Sequence, residues 1–211
     1  MTPRLALERG IAELALVVPR LACERLLQYV ELLGKWNRTY NLTAIGDPLQ
    51  SVTHHVLDSL AVVPHLPMSD GAALADAGSG TGMPGIALAI ARPTWRVTLN
   101  DASEKKTAFL RQAAIELKLE NVSVHVGRVE DWRPAAGFAV VISRAFSELA
   151  RFIERCRHLV APSGVLAAMK GAYPGAELSG LPAGCGCAEV IPLTVPFLNA
   201  ERHLVLCRIT D

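Results

Sequence analysis

The densest concentration of groups able to do chemistry is the run Asp76-Ala77-Gly78-Ser79-Gly80-Thr81-Gly82-Met83-Pro84-Gly85. Ala72-Ala73-Leu74-Ala75 leads into it and reads as a short buried strand. Ile86-Ala87-Leu88-Ala89-Ile90-Ala91 leads away and reads as a helix with proline in its first turn. Glycines between a strand and a helix let a ligand approach the main chain closely, with amide N–H groups turned toward it. A loop in that context binds a nucleotide-type cofactor.

The loop satisfies two patterns. Gly80, Gly82 and Gly85 fit G-x-G-x-x-G, the dinucleotide fingerprint. Asp76, Gly78, Gly80 and Gly82 fit D-x-G-x-G-x-G, the pattern of Rossmann-like methyltransferases that use S-adenosyl-L-methionine. Asp101 closes the stretch begun by Trp95-Arg96-Val97-Thr98-Leu99, at the end of a second strand, where an acid accepts from the ribose hydroxyls of either cofactor. Asp76 separates the two patterns: a carboxylate there repels a pyrophosphate but suits the cationic methionine end of S-adenosylmethionine. The alternative is that Asp76 only caps the turn.

The elements that must position these groups follow from periodicity. Residues 3–66 read as helical, with one stripe of Leu21, Leu26, Leu27, Val30, Leu33 and Trp36 and a second of Val52, Val56, Leu57, Leu60 and Val63. Asp47-Pro48 reads as a helix start. Residues 67–71 form a linker, which divides the chain into an N-terminal helical extension, 1–66, packed on a body, 72–211. In the body, strands are expected at 73–76, 95–100, 121–126, 138–142, 164–170, 187–195 and 203–209. Helices are expected at 84–91, 104–118, 146–161 and, more weakly, 175–180. That alternation means an α/β fold of βαβ units and a mostly parallel sheet. Pro192 and Pro196 make the sixth strand an edge strand or a broken one. Asn199-Ala200-Glu201-Arg202 is too short for a crossover helix, so the last two strands pair antiparallel.

Ligands in such sheets lie beyond the carboxyl ends of the strands. Besides the loop and Asp101, Val129-Glu130 and Ser143-Arg144 reach that edge. Glu130 is either an acceptor near an adenine amino group or an ordinary helix-start acid. After the fourth strand there is no Asn/Asp-Pro-Pro-Tyr run of the kind that orients an adenine amine. Arg144 instead offers a donor-only fork for a phosphate, a carboxylate or the acceptor edge of guanine.

Bulk properties narrow the partners. A net charge of +1 makes no global basic field, so a nucleic-acid surface must be a local patch. The apolar runs are too short and interrupted to span a membrane, and the charged start of the chain is unlike a signal peptide, so a cytoplasmic location is expected. Five scattered cysteines, Cys23, Cys156, Cys185, Cys187 and Cys207, read as free thiols, and no Cys/His set has metal-ligand spacing.

Taken together, Lys35-Trp36-Asn37, Tyr40-Asn41-Leu42-Thr43, His55-Val56-Leu57-Asp58-Ser59, the glycine loop, Arg128-Val129-Glu130, Ile142-Ser143-Arg144-Ala145-Phe146, Lys170-Gly171 and Glu201-Arg202-His203-Leu204-Val205 resemble the bacterial small-subunit ribosomal RNA methyltransferase G family, also known as glucose-inhibited division protein B. The resemblance covers nearly the whole chain. It implies a Rossmann-like class I methyltransferase, with a seven-stranded sheet whose last strand is antiparallel, using S-adenosyl-L-methionine. The implied product is 7-methylguanosine in the 530-loop region of 16S rRNA, within the small ribosomal subunit or an assembly intermediate. No obligatory protein partner is evident.

Carried over by motif, Gly78, Met83, Val129, Glu130 and Arg144 look like the family's cofactor contacts; Asp76, Gly80 and Asp101 are added from strand-end position. Lys170, Arg202, His203, His55 and Asn41 are the candidates for holding RNA, with His54, Asp58, Gly171 and Glu201 beside them. The family usually has an arginine where this chain has Thr53, which weakens any cationic contact there. Guanine nitrogen 7 carries an in-plane lone pair, so no general base is nominated, and Arg144 is assigned to alignment. A nicotinamide-type oxidoreductase using Gly80, Gly82 and Gly85, a non-catalytic ribosome-assembly factor and a small-molecule methyltransferase stand as the other readings.

Overall fold

A computed structural model of the chain describes residues 1–144, 146 and 148–210, and for Cys187 and Ala188 the backbone alone. Seven strands, β1 (Ala73–Ala77), β2 (Arg96–Asp101), β3 (Val122–Val126), β4 (Phe138–Ser143), β5 (Val160–Lys170), β6 (Cys185–Pro192) and β7 (His203–Ile209), form one sheet in the order β3-β2-β1-β4-β5-β7-β6. The first five pair parallel; β7 runs antiparallel to both β5 and β6. The strand order reverses between β1 and β4, so the crevice beyond their carboxyl ends lies at the switch point.

Alternation along the strands divides their side chains between two cores. Leu74, Val97, Leu99, Val140, Ile142, Val165 and Ala167 face one side. Ala75, Ala77, Val141, Leu166, Ala168 and Val205 face the other, where Leu149, Phe152 and Ile153 cover them.

The helices are α1 (Pro3–Glu13), α2 (Arg20–Tyr40), α3 (Pro48–Ser51), α4 (Asp58–Leu60), α5 (Gly85–Ala91), α6 (Glu104–Glu116), α7 (Leu149–Cys156) and α8 (Gly175–Leu178). A π-helical stretch, Val52–Leu57, joins α3 to α4. Leu7, Leu26, Leu33, Val56 and Leu60 share one hydrophobic cluster with α5 and the first sheet face. Helix α5 lies between sheet and helical layer and is buried along its whole length, which is why it has no polar face.

Several boundaries differ from expectation for local reasons. Leu21 is exposed and Ala22 takes its inward place, because 22, 26, 29 or 30 and 33 follow the helical period and 21 does not. Helix α6 stops at Glu116, closed by Lys118 in the left-handed region (φ +52°). Helix α7 is shorter than 146–161 and gives way to a 3-10 turn, Arg157–Leu159. Strand β5 starts at Val160: Ala161-Pro162-Ser163-Gly164, turn-like by composition, is a bulge between the Phe138–Val160 and Val140–Val165 pairings. Strand β6 is the edge strand and ends at Pro192. Among the described residues no helix is long and apolar enough to cross a membrane.

Candidate active site

The same alternation that buries Leu74 turns Asp76 toward α5. Its side chain is fully buried; Oδ2 accepts the Gly85 N–H at 2.9 Å, and Oδ1 has no hydrogen-bond partner. Burial pushes its pKa up to about 7, against the pull of the Gly85 amide. Asp76 is not among the residues that line the three cavities described below; its carboxylate lies beneath the loop and holds the first turn of α5. A Cβ on Gly85 would sit 2.9 Å from that of Asp76, so this position requires glycine.

The loop above it is held from both sides. Gly78, Gly80 and Gly82 have φ of +71°, +59° and +92°. The Gly80 N–H donates to Asp101 Oδ2 at 2.9 Å, while Asp101 Oδ1 accepts the Ser103 N–H at 2.9 Å. From the helical layer, the Tyr29 hydroxyl donates to the Thr81 carbonyl at 2.7 Å. Ser59, whose hydroxyl donates to the His55 carbonyl, touches Met83 Sδ at 3.3 Å.

Three cavities meet along the ends of the strands. One of about 260 Å³ is lined by Gly78, Asn100, Asp101, Val129, Glu130 and Phe146. A second of about 260 Å³ shares Gly78 and adds Gly80, Thr43, Met83, Lys106, His55 and Arg144. The third, about 380 Å³, shares His55 and Arg144 and adds His54, Asp58, Lys170, Gly171 and Arg202. A 580 Å³ groove between Arg4 and α2 lies elsewhere and gathers none of the predicted site residues.

The first two cavities suit an adenosine joined to an amino acid. Carboxylate acceptors, Asp101 and Glu130, line the first; cations, Lys106 and Arg144, line the second, with Lys106 Nζ 3.7 Å from Asp101 Oδ2 where the two adjoin. A Cβ at Gly80 would find nothing nearer than 3.9 Å, so space remains above the loop. The Glu130 carboxyl is held below its ordinary range by its own backbone N–H and by Arg155 (3.2 Å) and Arg128 (3.6 Å). Asn100 donates to the Gly127 carbonyl at 2.9 Å and fixes the turn that carries Val129 and Glu130.

Arg144 sits where the second and third cavities join. Its guanidinium donates to Asp58 Oδ2 (3.1 Å) and the His54 carbonyl (3.0 Å) and lies 3.3 Å from His55 Nδ1. Asp58 Oδ1 accepts from Arg202 Nε at 2.9 Å. Burial, then the Arg144 charge, pushes the His55 pKa down to about 4. A neutral ring that accepts at Nδ1 keeps its proton on Nε2, 3.2 Å from Thr43 Oγ1.

The remaining predicted residues divide. Lys170 lines the third cavity but is paired with Glu177 at 2.8 Å, and Glu177 also accepts the first N–H of α7. His203 stands beside it, bonded to the Gly171 carbonyl at 3.0 Å. Asn41 is not brought to any of these cavities: it is the exposed left-handed cap of α2. Thr53 is buried, with its hydroxyl on the Gln50 carbonyl, which removes it from any outward contact. Ser143 ties β4 to the Ala77 carbonyl; Ala145, two residues on in the same motif, lies outside the described residues.

Asn100 and Tyr29 were missed as site residues, whereas Asp58, a candidate for holding RNA, is placed behind Arg144 and Arg202 and bonds to both. The signal for Tyr29 was a polar group inside an apolar helical stripe, and for Asn100 a polar group ending a buried strand. Cys23, Cys156, Cys185 and Cys207 are free thiols, while the side chain of Cys187 lies outside the described atoms. Among the described residues no group of three or more His, Cys, Asp or Glu side chains is placed to hold a metal.

A family model described as rRNA small subunit methyltransferase G matches residues 22–205. The chain is 53% identical over 204 residues to a ribosomal RNA small subunit methyltransferase G of Burkholderia pseudomallei (strain 1106a), covering 94% of this chain and 88% of the relative. It is 49% identical over 209 residues to the protein of the same name in Burkholderia cenocepacia (strain HI2424), covering 97% and 92%. Among solved structures, a SAM-dependent methyltransferase from Aquifex aeolicus superposes with a TM-score of 0.56 at 19% identity over 76% of this chain and 93% of that one. A DhpI–SAH complex superposes with a TM-score of 0.56 at 18% identity over 90% and 98%. At such identities the two structures share the fold.

Proposed function

The chain belongs to the rRNA small subunit methyltransferase G family, and from that membership we propose that it methylates nitrogen 7 of one guanosine in the 530-loop region of 16S rRNA. Membership makes it an S-adenosyl-L-methionine-dependent rRNA methyltransferase. The atom, the base, the small-subunit particle and the cytoplasmic location are the proposal. The hydride-transfer reading of Gly80, Gly82 and Gly85 is set aside with it.

The observation that carries the reading is the meeting of two unlike cavities at His55 and Arg144. On one side lie the glycine loop, Met83, Val129, Asp101 and Glu130, which hold the cofactor. On the other lie Lys170, Arg202 and His203 at a rim for RNA. When bound, the cofactor supplies an electrophilic methyl carbon. The chain's own residues align the guanine with it and remove no proton, because nitrogen 7 attacks through an in-plane lone pair. Methyl transfer leaves the purine cationic, so a charge beside it matters. The neutral His55 adds none, and the Arg144 charge is matched by Asp58. Residues 1–66 act as the layer that closes the cofactor side of the body, 72–211.

The test is tritiated methyl transfer from S-adenosylmethionine to small subunits from a strain lacking this protein, with the product mapped by cleavage specific for 7-methylguanosine. One modified guanosine supports the reading. Tight cofactor binding with no incorporation moves it to another acceptor or to an assembly role. The near-neutral chain argues for a shaped particle surface, so subunits should be methylated faster than protein-free 16S rRNA.

A further inference from the structure

We propose that Asp58 is a positioning residue that holds Arg144 and Arg202 side by side as a seat for a phosphodiester of the RNA substrate. This deepens the reading of the third cavity as the acceptor site and rests on it.

Asp58 opens α4 on the buried face of the helical layer, 2% exposed, with each carboxylate oxygen committed to a different arginine. The arginines come from distant elements: Arg144 follows β4, and Arg202 precedes β7. Two guanidinium groups brought this close repel one another unless an anion lies between them. The carboxylate does so from behind, within the protein, while both arginines line the cavity. Lys170 is matched by Glu177, so Asp58, Arg144, Arg202, Lys170 and Glu177 together carry one net positive charge, which suits a monoanion. Each guanidinium has five donors. Contacts with Asp58, His54 and His55 engage three of Arg144's, and Asp58 and Glu201 engage two of Arg202's. The remainder serve a phosphate bidentately.

Asp58→Asn keeps the shape and removes the charge. The expected result is a KM for small subunits raised about tenfold, as for a misplaced positioning group. Arg144 also lines the cofactor cavity, so cofactor affinity falls, but by less than KM rises, and kcat likewise falls less than KM rises. Arg202→Gln gives a similar KM, and the double variant falls well short of the product of the two effects, because Asp58 acts through the arginines. An unchanged RNA KM in folded Asp58→Asn overturns the proposal. So does a loss of cofactor affinity as large as the rise in RNA KM, which marks a purely structural role. Should Asp58→Asn fail to fold, the wild-type protein decides: the Arg202 Nε–H resonance is expected to be rigid and slow to exchange, and a mobile, fast-exchanging one refutes the seat. Wild-type protein that binds cofactor but methylates no RNA would instead defeat the acceptor-site reading itself.

Discussion

The Tyr29 hydroxyl reaches across from α2 to the Thr81 carbonyl at 2.7 Å, joining the N-terminal helical layer to the middle of the glycine loop. The tyrosine is fully buried and packs against Phe109, so its ring has no alternative place. Asp101 holds the same loop from the sheet side through the Gly80 amide. The conformation of the loop is therefore set jointly by the helical extension and the sheet.

Tyr29→Phe keeps the packing and leaves the Thr81 carbonyl without its donor. A buried polar group left unpaired costs about 1–3 kcal/mol. Thermal denaturation should show that loss. Titration calorimetry should show cofactor affinity weakened roughly fivefold, the equivalent of about 1 kcal/mol. Unchanged affinity in a destabilised variant would mean that the bond serves the fold and not the loop.

Removing the other tether has a different signature. Asp101→Ala frees the Gly80 and Ser103 amides and takes away a carboxylate that lines the first cavity. Hydrogen bonds to a charged group are worth about 1.5–3 kcal/mol each. Cofactor affinity should fall more than in Tyr29→Phe, and adenosine alone should lose affinity in the same proportion. If adenosine binding were spared, Asp101 would act only as a brace for the loop.

The layers and the strand order's consequences were legible because alternating apolar runs, Pro192 at an edge and the short link before β7 each have one physical reading. The direction of single side chains was not. Asp76 was identified from its place in the pattern, but only the register of β1 shows that it points under α5. Asp58 stands in the sequence among the candidates for holding RNA, and only β4 and β7 bring Arg144 and Arg202 to its two oxygens. Lys170 read as a free rim cation because Glu177, its partner, lies in a short helix with little sequence signal. The bulge in β5 was hidden because Pro162-Ser163-Gly164 has the composition of a turn that ends one element and starts another.

Asp76 and His55 place opposite demands on stability between pH 4 and 6.5. Asp76 is raised from 3.8 to about 7, so the unfolded chain releases this proton first, and the folded state loses ground as pH rises from about 4 to 7. His55 is lowered from 6.5 to about 4, so the unfolded chain takes up its proton first, and the folded state loses ground as pH falls from 6.5 to 4. The two slopes oppose each other over the shared window. Denaturant unfolding should show Asp76→Asn gaining stability as pH rises from 4 to 6.5, and His55→Gln losing it. Each full excursion amounts to roughly 3–5 kcal/mol from shifts of this size. Parallel slopes in the two variants would refute the assigned directions.

Arg144 tests the junction of the cavities most directly, because its charge is used in three ways. It neutralises half of the Asp58 contact, holds the His54 carbonyl and keeps His55 unprotonated. Arg144→Ala leaves a buried carboxylate with one partner, and breaking such a pair costs roughly 3–5 kcal/mol where both groups are buried. Arg144 is a quarter exposed, so the lower end is expected. Arg144→Lys restores charge without the planar fork and should recover much of that stability. It should not recover turnover, because a single ammonium cannot reach Asp58, His54 and His55 together. In Arg144→Ala the His55 pKa should rise, since the larger of the two charges that depress it, beside burial, is gone. Histidine proton resonances followed against pH report that shift, and cofactor titration with single-turnover methyl transfer reports the rest. Wild-type cofactor affinity and turnover in Arg144→Ala would remove Arg144 from the site altogether.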